Sequence, residues 1–135
     1  MIGRFADTSF YVAILNTRDE WHSLAVECSR QFRGLLVTTD FVLIELGNWL
    51  SRSGDRAAFV RLMAQLRSDP KTIIFPASRD AFDQGFDLYE HRPDKDWSLT
   101  DCISFTIMQR DGLTEALTAD HHFEQAGFTI LLKES

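Results

Sequence analysis

Four acidic residues interrupt or directly follow apolar stretches of the 135-residue chain: Asp7, Glu45, Asp101 and Asp120. Carboxylates that gather in one place repel one another, and this repulsion raises their pKa values. A divalent cation removes the penalty, and Mg²⁺ or Mn²⁺ prefers oxygen ligands from a few carboxylates, water and substrate phosphate. The four acids therefore predict a site for Mg²⁺ or Mn²⁺, provided that the fold brings them together.

Three of the acids also have a local structural interpretation. Asp7 and Asp120 directly precede expected helices, and each is about as readily an N-cap residue as a metal ligand. In the segment WSLTDCISF (97–105), Ser98 and Asp101 have the spacing of a capping box, which is the favoured local interpretation of Asp101. Local sequence alone therefore leaves these three acids open between capping and metal binding.

Glu45 differs because it lies too far into its expected helix to cap it. It interrupts the apolar run FVLIELGNWL (41–50), which is apolar almost all round and is expected to be mostly buried. A carboxylate on such a helix is unfavourable without a partner, so the alternatives are a buried ion pair and a site role. We favour the site role.

Short apolar stretches of strand length alternate with amphipathic stretches of helical length. Strands are expected at 3–7, 34–38, 71–76, 114–118 and 128–132; helices at 8–15, 20–32 (behind a Thr17–Glu20 capping box), 40–52, 55–67, 78–89 and 98–110; and a helical turn at 120–127. This alternation predicts an α/β fold, a three-layer αβα sandwich with a five-stranded parallel sheet. The length fits a single domain over residues 1–135.

A parallel α/β sheet binds ligands beyond the carboxyl ends of its strands. Asp7 ends the first expected strand, and Asp120 follows the fourth by two residues. The helix that begins near Asp101 rises roughly 15 Å over ten residues, and strand 4 climbs roughly 13 Å back. Glu45 lies in the early turns of the helix that leaves strand 2. All four acids are therefore expected at one edge of the sheet.

Composition narrows the class of protein. Apolar residues make up 44% of the chain and include 11 Phe, which supports a buried core and argues against disorder. No apolar stretch is long enough to span a bilayer, and the first residues do not resemble a signal peptide. Cys28 and Cys102 lack metal-ligand spacing, so we expect buried thiols in a reducing cytoplasm.

The charge balance is 14 basic against 20 acidic residues, a net charge of −6. This is unusual for a protein that grips nucleic acid through phosphates alone, so bound cations, a basic patch or a partner would have to help. Four cations in loops or at helix ends are candidate phosphate contacts: Arg52, Arg56, Arg92 and Lys95. Trp97 either stacks on a base or anchors its helix, and His121 and His122 are expected to lie on the surface.

Four segments in this order resemble the PIN-domain ribonucleases, and in particular the VapC-type toxins of bacterial toxin–antitoxin pairs. They are ADTSF with Asp7, TTDFVLIELGNWL with Glu45, DWSLTDCISF with Asp101 and ALTADHHFEQAGF with Asp120. The resemblance implies an Mg²⁺- or Mn²⁺-dependent endoribonuclease whose core metal-binding acids are Asp7, Glu45 and Asp101. Asp120 is implied as a fourth acid, with hydroxyl support from Thr8 and Thr118.

The same resemblance implies RNA as the substrate, a cytoplasmic location and a homodimer. It also implies a cognate antitoxin that docks a peptide over the groove and blocks the acids. The mechanistic hypothesis is that water activated by one or two bound ions attacks the scissile phosphorus, with no histidine base.

Other classes remain in competition with this interpretation. A receiver-like phosphoacceptor domain also gathers acids at the carboxyl edge, but it needs adjacent acids near strand 1 and a lysine past its last strand. Here Asp7 stands alone and Lys133 falls near the end of the chain. A phosphatase with an Asp-x-Asp pair is weaker still, because position 9 is Ser. A non-catalytic binding module with the same fold would neither bind metal nor be stabilised by it.

Overall fold

The computed structural model describes residues 3–134, which form five strands and seven helices. In chain order these are β1 (Gly3–Ala6), α1 (Thr8–Leu15), α2 (His22–Gln31), β2 (Leu35–Thr39), α3 (Asp40–Arg52), α4 (Arg56–Ser68), β3 (Thr72–Phe75), α5 (Arg79–His91), α6 (Leu99–Arg110), β4 (Glu115–Leu117), α7 (His121–Gln125) and β5 (Thr129–Ile130). The predicted α/β class is confirmed. Within the described residues, no helix combines the length and apolar character needed to cross a bilayer.

The five strands pair in the order β3-β2-β1-β4-β5, and every pairing is parallel. β1 is central, and its residues Phe5 and Ala6 are fully buried between neighbours on both sides. Because all strands run the same way, their carboxyl ends share one edge, as the sequence predicted. A receiver-like sheet has the order 2-1-3-4-5 instead, and Lys133 bonds Glu124 at 2.8 Å, so the receiver alternative does not fit.

Element boundaries agree with the sequence prediction except in a few places. The Thr17–Glu20 capping box was wrong: α2 begins at His22 without a side-chain cap. The carboxylate of Asp19 instead accepts the N–H of Trp21 at 2.8 Å, a local turn that competes with helix formation. α5 also continues to His91, two residues past the expected end at 89. Cys102 is buried as predicted, whereas Cys28 is only partly buried.

Aromatic side chains fix the start of α6 to the core. Phe105 lies edge-on to Trp97 and Phe123, with ring centroids 5.1 and 4.9 Å away. Trp97 is 6% exposed, and its indole N–H donates to Gln125 Oε1 at 3.0 Å. Trp97 therefore anchors the helix that carries Asp101, and it is not available to stack on a base.

α5 and α6 approach closely at Gly85, which has no side chain to separate them. A Cβ placed there would lie 2.7 Å from the Cα and 2.9 Å from the backbone nitrogen of Ile103. Gly47 on α3 is a milder case, since its Cβ would meet only the ring of Phe59, at 3.1 Å. Backbone cannot yield as a side chain can, so the position of α6 depends on Gly85.

Gly85→Ala should therefore destabilise the protein, because the added methyl forces the two helix backbones apart. We expect a loss of about 2 kcal/mol and a fall in melting temperature of roughly 5–10 °C. Gly47→Ala is the matched control and should change stability little, because Phe59 can turn and Ala favours a helix. Equal melting temperatures for the two variants in thermal denaturation would contradict this packing.

Candidate active site

A cleft of about 470 Å³ opens at the carboxyl edge of the central strands. Its acidic lining residues are Asp7, Asp19, Glu45, Asp96, Asp101 and Asp120. All four acids singled out in the sequence thus line one cleft, although they come from four separate segments. Asp19 and Asp96 were not predicted, because loop residues carry no periodic signal of where they point.

Asp7 is the most buried of the four acids, at 5% exposed. It occupies the N-cap position of α1, as one of the two sequence interpretations had it, but its side chain makes no capping hydrogen bond. Its backbone N–H donates to Leu117 O at 3.2 Å, and its Oδ2 accepts the hydroxyl of Thr118 at 3.0 Å. The carboxylate is therefore held at the seam between β1 and β4.

Burial, followed by the charge of Asp101 and then more weakly by that of Glu45, raises the pKa of Asp7 from 3.8 to about 7. Hydrogen bonds from the Thr8 backbone and the Thr118 hydroxyl act in the opposite direction. Burial also raises the pKa of Asp101, followed by the charge of Asp120. The surroundings of these two acids therefore disfavour their charged forms, an effect that a divalent cation would reverse.

Asp101 both caps its helix and lines the cleft. Its N–H donates to Ser98 Oγ at 3.0 Å, and its Oδ2 accepts the Ser98 N–H at 3.1 Å, a complete capping box. The same carboxylate lines the cleft and is 8% exposed. The cap fixes the rotamer of Asp101 while leaving its other oxygen, Oδ1, outside the capping box.

Asp120 combines the same two roles at the start of α7. Its Oδ1 accepts the backbone N–H of His122 at 2.9 Å, so the N-cap interpretation is confirmed. Its own N–H donates to Thr118 Oγ1 at 3.0 Å. Asp120 lines the cleft as well, which places it beside Asp101.

Glu45 lines the cleft as expected, but its helix is less buried than the sequence suggested. The expectation that its helix is mostly buried was wrong: Glu45 is exposed, and Ile44 beside it is 57% exposed. α3 buries only one stripe, formed by Val42, Leu43, Leu46 and Leu50. The hydroxyl of Thr8 donates to Glu45 Oε1 and holds this exposed side chain at the cleft.

Hydroxyl groups connect the acids to one another. Thr118 Oγ1 contacts Asp7 Oδ2, lies 2.9 Å from Ser9 Oγ, and accepts the N–H of Asp120. Thr8 and Thr118 thus occupy the supporting positions expected for them. Ser9 was not predicted as a member of the site, although the sequence places it two residues after Asp7.

His122 is a further side chain at this site that the sequence prediction missed, since a surface position was expected for it. Its side chain is 21% exposed, and its Nδ1 lies 3.3 Å from both Asp101 Oδ2 and Asp120 Oδ1. The only sequence signal was the spacing of Asp120 and His122, two positions apart. His121, by contrast, is exposed as expected.

The donor set fits a divalent cation. Carboxylate oxygens suit Mg²⁺ and Mn²⁺, and the pKa of the buried Asp7 is raised chiefly by burial, a penalty that a bound cation would offset. Among residues 3–134, the ligand atoms of Asp120, His121 and His122 lie within 4.8 Å of one another. Water and substrate phosphate commonly supply the remaining ligands in magnesium sites.

The predicted phosphate contacts lie at different distances from the cleft. Arg92 and Lys95 line a second hollow of about 740 Å³, which shares Asp96 and Ser98 with the acidic cleft. Arg92 also bonds the carboxylate of Asp94 through two 3.0 Å contacts. Arg56 instead lines an apolar groove between α3 and α4, and Arg52 is exposed at the end of α3.

Asp7→Asn should stabilise the metal-free protein, increasingly so as the pH rises. The folded state keeps the Asp7 proton up to about pH 7, whereas the unfolded state loses it near 3.8, so stability falls between these values. We expect the free energy of unfolding of Asp7→Asn to exceed that of the wild type by on the order of a few kcal/mol at pH 8, and by little at pH 4. Thermal melts in EDTA measure this difference, and a difference independent of pH would contradict it.

The sequence is similar to those of known proteins. A PIN-domain family model matches residues 4–129. The chain is similar to the 23S rRNA-specific endonuclease VapC20 of Mycobacterium tuberculosis, with 29% identity over 131 residues that cover 96% of this chain and 98% of the relative.

Solved structures show the same similarity. The crystal structure of Mycobacterium tuberculosis VapC20, a sarcin–ricin loop cleaving toxin, has a TM-score of 0.84 and 26% identity, covering 93% of this chain and 95% of that one. A toxin–antitoxin complex from Klebsiella pneumoniae shares the fold, with a TM-score of 0.62, 14% identity and 87% of each chain covered. The resemblance seen in the four sequence segments is confirmed, and the chain belongs to the PIN domain family.

Proposed function

We propose that this chain is a Mg²⁺- or Mn²⁺-dependent endoribonuclease, a single PIN domain that acts as the toxin of a bacterial toxin–antitoxin pair in the cytoplasm. The observation that carries the proposal is the meeting of Asp7, Glu45, Asp101 and Asp120 in one cleft, with the pKa of Asp7 raised. The similarity to VapC20, a 23S rRNA-specific endonuclease, over 96% of this chain supports RNA as the substrate.

In this proposal Asp7, Glu45 and Asp101 hold the ion or ions, and Asp120 is the fourth acid. A divalent ion bound there would supply a water of lowered pKa as the nucleophile and would offset charge on the phosphate. Thr118 orients Asp7, and Thr8 orients Glu45, through the hydroxyl bonds described above. The capping box of Ser98 fixes Asp101, so three of the acids are preorganised by neighbouring side chains.

The walls of the cleft strengthen this electrostatic arrangement. Val12, Trp21 and Trp49 line it beside the acids. Apolar and aromatic walls lower the local dielectric, so charges inside act on one another more strongly than they would in water. The cleft is therefore suited to bind a cation together with a phosphate, and unfavourable for the acids alone.

The partners are an antitoxin and a second copy of this chain. An apolar groove between α3 and α4, lined by Ile44, Gly47, Phe59 and Met63, lies beside the cleft because Glu45 and Trp49 of α3 line the cleft itself. A peptide seated in this groove would reach the acids within a few residues. Exposed apolar side chains on α3 and α4, with Val60 at 67%, also leave surface for subunit contact.

The decisive activity test uses RNA cleavage with added Mn²⁺ or Mg²⁺. We expect EDTA to abolish cleavage and Asp7→Asn to lower it by at least about 100-fold, because one ligand charge is lost. Asp55→Asn, an exposed aspartate outside the cleft, is the matched control and should cleave normally. Cleavage that survives EDTA, or an active Asp7→Asn protein, would exclude this mechanism.

The same samples distinguish a non-catalytic module. Metal that binds only the folded state raises its melting temperature. We expect Mn²⁺ to stabilise the wild-type protein and to stabilise Asp7→Asn far less. A wild-type protein that Mn²⁺ does not stabilise, and that cleaves no RNA, would favour a binding domain over an enzyme.

The dimer is tested by size-exclusion chromatography with light scattering. We expect a mass near twice the 15.5 kDa of one chain, because the exposed apolar residues of α3 and α4 gain burial in a dimer. The monomer mass at every concentration tested would argue against self-association and leave the antitoxin as the partner for this surface.

A further inference from the structure

We propose that His122 supplies a nitrogen ligand to the metal site and biases the site towards Mn²⁺ over Mg²⁺. This inference rests on the proposed function, since it concerns the ion that the same cleft would hold. It adds a residue and a metal preference to the four acids, and neither follows from the carboxylates alone.

The first step is the position of the ring. His122 Nδ1 lies 3.3 Å from Asp101 Oδ2 and 3.3 Å from Asp120 Oδ1, so it stands between the two carboxylates and contacts both. Ligand atoms about 2.1 Å from one ion lie about 3 Å from each other when they occupy adjacent octahedral corners. These two distances are therefore close to those between neighbouring ligand atoms of one ion.

The second step is how firmly the ring is held. The side chain is 21% exposed, and the backbone N–H of His122 is bonded to Asp120 Oδ1 at 2.9 Å. Asp101 is in turn fixed by the Ser98 capping box. Both carboxylates that contact the ring thus have their rotamers set by the starts of two helices, and the imidazole is placed by the same contacts.

The third step is the chemistry of the ligands. Carboxylates alone accept Mg²⁺ and Mn²⁺ readily, whereas imidazole nitrogen favours transition-metal ions. Mg²⁺ also dehydrates reluctantly and prefers to keep water and oxygen around it. One nitrogen among the oxygens should therefore strengthen Mn²⁺ binding more than Mg²⁺ binding.

The neighbouring histidine offers a matched control. His121 Nδ1 lies 3.9 Å from Asp120 Oδ1, and its side chain is 70% exposed. The two rings stand side by side with centroids 4.6 Å apart. Of the two histidines, only His122 contacts Asp101. Because the proposed ligand role needs both carboxylates, we assign it to His122 and not to His121.

A purely orienting role makes a different prediction. If His122 only donated a hydrogen bond that positions Asp101 and Asp120, its removal would weaken both ions by the same factor. Ligation instead changes the ratio of the two affinities. The ratio therefore separates the two roles, and it does not depend on catalytic activity.

The experiment measures Mn²⁺ and Mg²⁺ binding by calorimetry for the wild type, His122→Asn and His121→Asn, with pulsed electron paramagnetic resonance of the Mn²⁺-loaded proteins. We expect a ¹⁴N coupling in the wild type and in His121→Asn that is lost in His122→Asn. We expect the Mn²⁺ dissociation constant of His122→Asn to rise about tenfold or more, and that for Mg²⁺ to rise less than threefold.

Two results would overturn the assignment: a wild-type spectrum without nitrogen coupling, or equal weakening of both ions in His122→Asn. If His122→Asn fails to fold, the wild-type and His121→Asn spectra still decide. A wild type that binds neither ion would refute the proposed function itself. A wild type that binds Mn²⁺ and cleaves RNA without nitrogen coupling would refute only the role of His122.

Discussion

The buried carboxylate of Asp7 is the constraint around which this site is built. It ends the central strand, where it is 5% exposed and has other acids as neighbours, and burial raises its pKa to about 7. Thr118 and the backbone of Thr8 offset part of this penalty. A divalent cation would remove the remaining penalty, and this is how the proposed nuclease, with a net charge of −6, would accommodate a polyanionic substrate.

Two side chains that cap helices also line the acidic cleft. Asp101 and Asp120 each satisfy free N–H groups at a helix start, at Ser98 and His122, and each also lines the cleft. A helix N-terminus stabilises a nearby carboxylate, and the capping bond fixes the orientation of that side chain. A flexible surface carboxylate has no such fixed orientation. The favoured local interpretation was therefore correct for Asp101 and incomplete, because a cap is also a rigid support for a ligand.

The sequence predicted those features that depend on periodicity and chain order. Strand positions and the parallel direction were enough to place Asp7 and Asp120 at one edge, and the length of α6 was enough to return Asp101 there. Contacts between distant segments carry no such signal. The proximity of His122 to Asp101 and the exposure of Glu45 depend on how α7 and α3 are oriented, which only the packed structure determines.

The hydrogen bond from Thr118 to Asp7 joins residues 111 positions apart in the chain. A contact so distant in sequence forms only after the segment that carries β4 has been synthesised, and β1 has no partner at β4 before then. During translation, the proposed toxin would therefore carry an incomplete cleft until residues 115–120 have left the ribosome. Its nascent chain would lack the seam that holds Asp7 throughout the synthesis of the segments before β4.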